Sequence, residues 1–260
     1  MDYAAECVHL FLWGAYDSWR YFPRALRRVS EARPRVLLNL LLLNGALVVG
    51  MHSLFSRVVQ PLGGSPALML LAWDLPVYCL SLVANWSRSG ELARGLVSRP
   101  RPQSAVDAVL RLSVILGLSL ALLVSLWVPV VGGALYFFLY SWFYALCAFE
   151  AVWSSQGREY RASLDVFECR WLYFFGFGAS LSALSIYVSP TFFVSYALVS
   201  LYLPLLTATS MGVDPEQIPR QRLVPRLVLI AIVDALITRP FSDRLLSKLT
   251  KRKSKRRVVG

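Results

Sequence analysis

Two long stretches without a formal charge set the limits on what this chain can fold into. No Asp, Glu, Lys or Arg occurs between Leu112 and Phe149, a run of 38 residues, nor between Trp171 and Val213, a run of 43. A bilayer-crossing helix needs ~20 apolar residues, so each run is long enough for two. A soluble core does not call for such runs, because its apolar residues recur at helical or strand spacing with charges on the outward face. Composition agrees: 57% of residues are hydrophobic and only 16% charged, with a mean hydropathy of +0.54. The fold class expected is all-α, a polytopic membrane protein.

Further apolar stretches complete the pattern. Residues 36–55 form one, with Asn44 and His52 inside it, and residues 67–84 a second, interrupted by Trp73-Asp74-Leu75-Pro76. The 38-residue run divides at Val128-Pro129-Val130-Val131-Gly132-Gly133 and the 43-residue run at Val188-Ser189-Pro190, where proline and glycine punctuate the helix. Six spans are expected, near 36–55, 67–84, 112–131, 134–152, 171–188 and 191–211, with a polar loop from Ser154 to Arg170. Each arm of the hairpins 112–152 and 171–211 holds ~18–20 residues, about 27–30 Å of helix, so full crossing and half-penetration both remain open. Leu223 to Ile237 carries Arg226 and Asp234 on one broad face, and Leu227, Ile230 and Val233 near the other. It reads as an interfacial amphipathic helix, residues 223–237. The N-terminal segment reads the same way, with Tyr3, Cys7, Leu10, Phe11 and Gly14 at helical spacing and Arg20, Arg24, Arg27 and Arg28 following. The expected organisation is one helical membrane domain, residues 1–240, and a basic tail, 241–260.

Orientation follows from the connections. Twenty-six of the 27 basic residues lie in the two termini and the 85–111 and 150–170 loops, and only Arg57 lies on the other side. Both termini are therefore expected in the cytosol. No basic n-region precedes the first span, since Asp2 and Glu6 stand there, and no signal peptide is expected. The net charge of +12 is concentrated: the last 17 residues hold eight basic groups and no acid. Lys251, Arg252, Lys253, Lys255, Arg256 and Arg257 are candidate contacts for anionic lipid headgroups, a protein partner or an import receptor. Nucleic acid is not an expected partner.

Catalytic signatures are missing from the sequence. The two histidines, His9 and His52, are far apart, and HExxH, GxSxG and a P-loop do not occur. Cys7, Cys79, Cys147 and Cys169 make no CxxC pair. No enzyme, cofactor or metal is expected. Asp74 is the only acid well inside an apolar stretch, either an ion or proton site loosened by Pro76 or an Asp bonded to a neighbouring helix. Glu150 is expected at the end of its span as an interfacial partner of Arg158 or Arg161. Gly176 and Gly178, set among Trp171, Tyr173, Phe174 and Phe175, are expected to let helices approach closely.

The stretch Cys169-Arg170-Trp171-Leu172-Tyr173-Phe174-Phe175-Gly176-Phe177-Gly178 resembles the Trp-x-Tyr-Tyr-Phe-Gly-Phe-Gly signature of the etoposide-induced protein 2.4 family. Leu135-Tyr136 through Phe149-Glu150 and Trp153 is similar to that family's aromatic span ending in Phe-Glu. Leu75-Pro76, Asn85-Trp86, Glu91-Leu92-Ala93, Asn44-Gly45 and Trp13-Gly14 with Asp17-Ser18 fall in the same order. The resemblance implies an endoplasmic-reticulum membrane protein linked to autophagy and to stress-induced growth control or apoptosis, with protein partners from those processes and no established catalytic residues. The family is grouped more distantly with bacterial sulfate permeases, which include half-penetrating hairpins. An anion channel or transporter is therefore the competing expectation.

Overall fold

The computed structural model describes residues 3–32, 90–94, 105–125, 127–188 and 202–221, with isolated positions between 34 and 57. Expectations for the spans 36–55 and 67–84, the helix 223–237 and the tail 241–260 fall outside the described residues, wholly or nearly so. Every regular element among the described residues is helical. In chain order they are α1 (Tyr3–Arg20), α2 (Phe22–Ala32), a short helical piece at 90–94, α3 (Ala105–Ser125), α4 (Gly132–Ser155), α5 (Tyr160–Cys169) and α6 (Trp171–Ala183). A single π-helical turn, Leu184–Val188, continues α6, and a helical segment at 202–210 leads to the 3-10 turn Pro215–Gln217.

Among the described residues α4 is the central helix. Every residue from Leu139 to Trp153 is buried, so the helix is covered on all sides rather than along one stripe. Val114, Ile115, Leu118 and Leu122 of α3, Phe174, Phe177 and Leu181 of α6, and Leu203 and Leu206 of the 202–210 segment share one core cluster with it. Among the described residues α4 is also the one helix long and apolar enough to cross a bilayer. Its 24 residues span ~36 Å. Ser113–Leu122 and Trp171–Tyr187 are shorter apolar helices, so six spans are not established.

The helix boundaries differ from the sequence expectation in an instructive way. α3 was expected to begin at Leu112, after the last charge; it begins at Ala105 and ends at Ser125, ahead of the expected 131. Arg111 lies within the helix because it has a buried partner, described below. The turn expected at 128–133 is present: α4 starts at Gly132, and Val130 carries it with a φ of 68°. A Cβ on Gly132 would meet the Ser125 carbonyl oxygen at 2.6 Å, so the glycine lets α4 start against the end of α3. The expected loop from Ser154 to Arg170 is mostly helix: α5 buries Tyr160, Ser163, Leu164, Val166 and Phe167 on one face. Mixed charge hid that face, since Arg161, Asp165 and Glu168 interleave with it.

Hydroxyls inside the helices mostly bond to the preceding turn. Ser119 donates to the Ile115 carbonyl at 2.8 Å, Ser141 to Phe137 at 2.8 Å, Thr207 to Leu203 at 3.0 Å and Thr209 to Leu205 at 2.8 Å. Such bonds satisfy polar groups without water.

Candidate functional site: a polar clasp at the base of the bundle

The charges that bracket the two apolar runs come together at one end of the bundle. Arg111, immediately before the first run, forms an ion pair with Glu150, immediately after it, and both side chains are 1% exposed. An unpaired charge at such depth is strongly unfavourable, so each group requires the other. Nη2 of Arg111 also donates to the Arg158 carbonyl at 2.6 Å, and its guanidinium lies 5.5 Å from the Tyr160 ring centroid. Glu150 is thus not an interfacial partner of Arg158 or Arg161. The antiparallel return of α4 along α3 brings its carboxylate to Arg111, and Arg158 turns instead to Glu216, at 2.8 Å.

The second run is closed in the same manner. Arg170 precedes it, and the chain after it folds back over this residue. Nε of Arg170 donates to the Ile218 carbonyl at 2.8 Å and Nη2 to the Glu216 carbonyl at 3.2 Å. Gln221 N–H donates to the Cys169 carbonyl at 2.9 Å, while the Gln221 side-chain oxygen accepts from Leu172 N–H at 3.5 Å. The Pro215–Gln217 turn is held by Asp214, whose carboxylate accepts from Glu216 N–H and from the Gln217 amide, both at 3.1 Å. Burial, then the neighbouring Arg220 charge, lowers the pKa of Arg170 from its ordinary value. The Cys169 thiol is pushed up by burial and then by Asp165, which disfavours the thiolate. Arg158 joins the two closures, since its carbonyl receives Arg111 and its side chain meets Glu216.

Above the clasp lies the aromatic and glycine stretch of α6. Phe149 packs edge-on against Phe174 and Phe177, each with centroids 4.9 Å away. Trp142 donates its indole N–H to the Trp171 carbonyl at 3.0 Å. Tyr173 donates its hydroxyl to Asp17 of α1 at 2.9 Å. The glycines are places of backbone contact: a Cβ on Gly176 would fall on the Phe11 carbonyl of α1, and one on Gly178 on the Ser141 carbonyl of α4. Gly14 does the reverse, facing the Tyr173 carbonyl. Phe149, Glu150, Arg170, Trp171, Tyr173, Gly176, Phe177 and Gly178 therefore fall in one continuous junction of α1, α4 and α6 and its base. Asp74 and Lys251, Arg252, Lys253, Lys255, Arg256 and Arg257 lie outside the described residues.

Sequence reasoning assigned no role to Arg111, Asp17 or Gly14 as partners. The signal for Arg111 was present, because it and Glu150 are the two charges bounding one uncharged run. Gly14 and Asp17 stand in a stretch that carries the family resemblance, but their partners depend on which face of α1 meets α6. An open groove of about 580 Å³ lies between α2 and the end of the 202–210 segment, lined by Tyr21, Arg24, Arg27, Arg28, Glu31 and Thr209 among others. Among the described residues no cluster of His, Cys, Asp and Glu is placed to hold a metal ion.

Comparison with known proteins places this junction in a family. The family described as sulfate transporter CysZ/etoposide-induced protein 2.4 matches residues 10–204, from the middle of α1 to the start of the 202–210 segment. The chain is also 35% identical over 91 residues to protein EI24 homolog of Arabidopsis thaliana, a match covering 35% of this chain and 28% of that relative. The matched part is thus little more than a quarter of the plant protein's length. No solved structure matches the chain. With three-quarters of its length matched, the signature stretch and the Arg111–Glu150 pair included, the chain belongs to the sulfate transporter CysZ/etoposide-induced protein 2.4 family of membrane proteins.

Proposed function

We propose that this protein is a non-enzymatic, multi-pass protein of the endoplasmic-reticulum membrane, with both termini in the cytosol. It acts there as an organiser or adaptor in autophagy and in stress-linked growth control or apoptosis. The observation that carries the reading is the use made of the buried polar groups. Arg111, Glu150, Asp17 and Arg170 are spent holding helices and returning chain together. Such an arrangement suits a rigid platform for cytosolic partners, and the resemblance of the signature stretch to the etoposide-induced protein 2.4 family supports this class of process. The basic tail, Lys251 to Arg257, then serves as a contact for anionic headgroups, a protein partner or an import receptor. Loss of the protein from its native cells should slow autophagic turnover of a cytosolic reporter, and a tagged full chain should co-fractionate with endoplasmic-reticulum markers. Normal turnover, or a plasma-membrane location, contradicts this reading.

A second reading, an anion channel or transporter of sulfate-like ions, is favoured by the arginine-lined groove beside α2. Purified protein in sealed vesicles should then admit labelled sulfate faster than empty vesicles. Equal rates remove this alternative.

A further inference from the structure

α1 is inside-out for a helix bathed in water. Of its two acids, Glu6 in the first turn is half-buried, whereas Asp17 and the neighbouring Ser18 are buried toward α6, where Asp17 accepts from Tyr173 and Ser18 lies 3.2 Å from Ser180. Its outward face is apolar apart from His9: Val8 is 57% exposed, Leu12 57%, Tyr16 59% and Trp19 60%, one residue every three or four positions. Cys7, Leu10, Phe11 and Gly14, the face that sequence spacing assigned to lipid, face the protein instead. A polar interior with an apolar exterior is the arrangement expected of helices surrounded by hydrocarbon.

α2, one residue later, has the opposite polarity. Ala25 and Val29 are buried against Leu92 and Ala208, and Arg24, Arg27, Arg28, Ser30 and Glu31 face outward. The switch occurs at Arg20-Tyr21-Phe22. Arg20 lies over the Tyr16 and Tyr21 rings, at 5.7 and 5.6 Å, as a cation reaching out of hydrocarbon past an aromatic belt does. A matching apolar face is present on α3, where Leu116, Leu120 and Val124 are exposed at one-turn intervals.

We propose that α1 lies within the hydrocarbon of the bilayer, its Val8, Leu12, Tyr16 and Trp19 face against lipid acyl chains, with the water boundary crossing the chain at Arg20–Phe22. The occupant of this face is lipid because α1 is packed at backbone distance on α6, part of the membrane bundle, and because the polarity reverses at an aromatic and arginine boundary. The inference goes beyond the proposed function and holds whether the protein is a platform or an anion route; a cytosolic N-terminus then requires α1 to enter the bilayer without crossing it.

Full-length protein with Cys7, Cys79, Cys147 and Cys169 replaced carries a nitroxide at Val8→Cys, Leu12→Cys or Tyr16→Cys, with Arg24→Cys and Arg28→Cys for comparison. In phosphatidylcholine vesicles, the three α1 positions should collide with oxygen in preference to a water-soluble nickel chelate, and the two α2 positions should show the reverse. Chelate preference along α1 overturns the proposal by placing the face in water. Protection from both reagents overturns it by placing the face under protein. The unmodified chain gives a second readout in nanodiscs whose phospholipid bears a photoactivatable acyl chain. Adducts are expected on Val8, Leu12, Tyr16 or Trp19. Adducts on Leu120 without any on α1 contradict the proposal.

Discussion

At single positions, the strongest constraints in this chain are glycines and one buried ion pair, and the two respond to substitution for different reasons. A side chain at Gly176 or Gly178 has no room, because it would fall on a carbonyl oxygen of the facing helix, and backbone cannot yield as a flexible side chain can. Overpacking of this kind costs about 1–3 kcal/mol. Gly176→Ala and Gly178→Ala should each lower the melting temperature in mild detergent. Gly133→Ala, whose Cβ would have nothing within 4 Å, should leave it nearly unchanged. Equal effects at all three positions would remove the close-contact explanation. Arg111 and Glu150 fail differently. Glu150→Gln strands a buried guanidinium, and breaking such a pair costs about 3–5 kcal/mol. Arg111→Met with Glu150→Leu should recover much of that loss, since neither charge is then left alone. Additive losses in the double variant, measured by the same melting, would show that the two residues do not act as a pair.

Among elements, how much was legible in the sequence depended on whether charge marked a boundary or a contact. The turn between α3 and α4 was legible, because Pro129, Gly132 and Gly133 interrupt an apolar run for local reasons. The start of α3 was not. Arg111 has the look of a loop residue until its partner 39 positions away is known. α5 was also hidden, since its buried face of Tyr160, Leu164 and Phe167 is half-concealed by interleaved charges. For α1 the periodicity was read correctly, but the face expected to meet the membrane packs on α6 instead. Helical spacing shows that faces exist, whereas their assignment depends on the neighbour, here α6. One element-scale expectation concerns the chain's end. A peptide of residues 220–260 should bind vesicles containing anionic lipid and release as salt rises toward about 0.5 M, where the Debye length falls well below its physiological ~8 Å. Replacing the basic residues from Lys251 to Arg257 with Gln should abolish most of that binding. Undiminished binding would assign the tail's charges no part in it.

Among the described residues, the organising feature is that the charges flanking both uncharged runs gather at one end, with the apolar turn between α3 and α4 at the far end of those helices. Arg158 joins the two closures, so rotating one hairpin against the other requires breaking its contact with Glu216 or with Arg111. That gives a bundle fixed at its base, with the signature stretch of α6 packed between α1 and α4 immediately beyond. The arrangement holds for full spans and for hairpins that enter halfway. In both, the proposed topology puts the base in water on one side of the membrane and keeps the turn at Val131 from that side. Single cysteines at Gln156, Pro219 and Val131 in a cysteine-free background, treated with an impermeant thiol reagent in sealed microsomes, test this directly. Gln156→Cys and Pro219→Cys should be labelled together from outside, and Val131→Cys should stay unlabelled until the membrane is opened, if it reacts at all. Labelling of Val131→Cys alongside Gln156→Cys in intact vesicles, or of Gln156→Cys without Pro219→Cys, would contradict a common base.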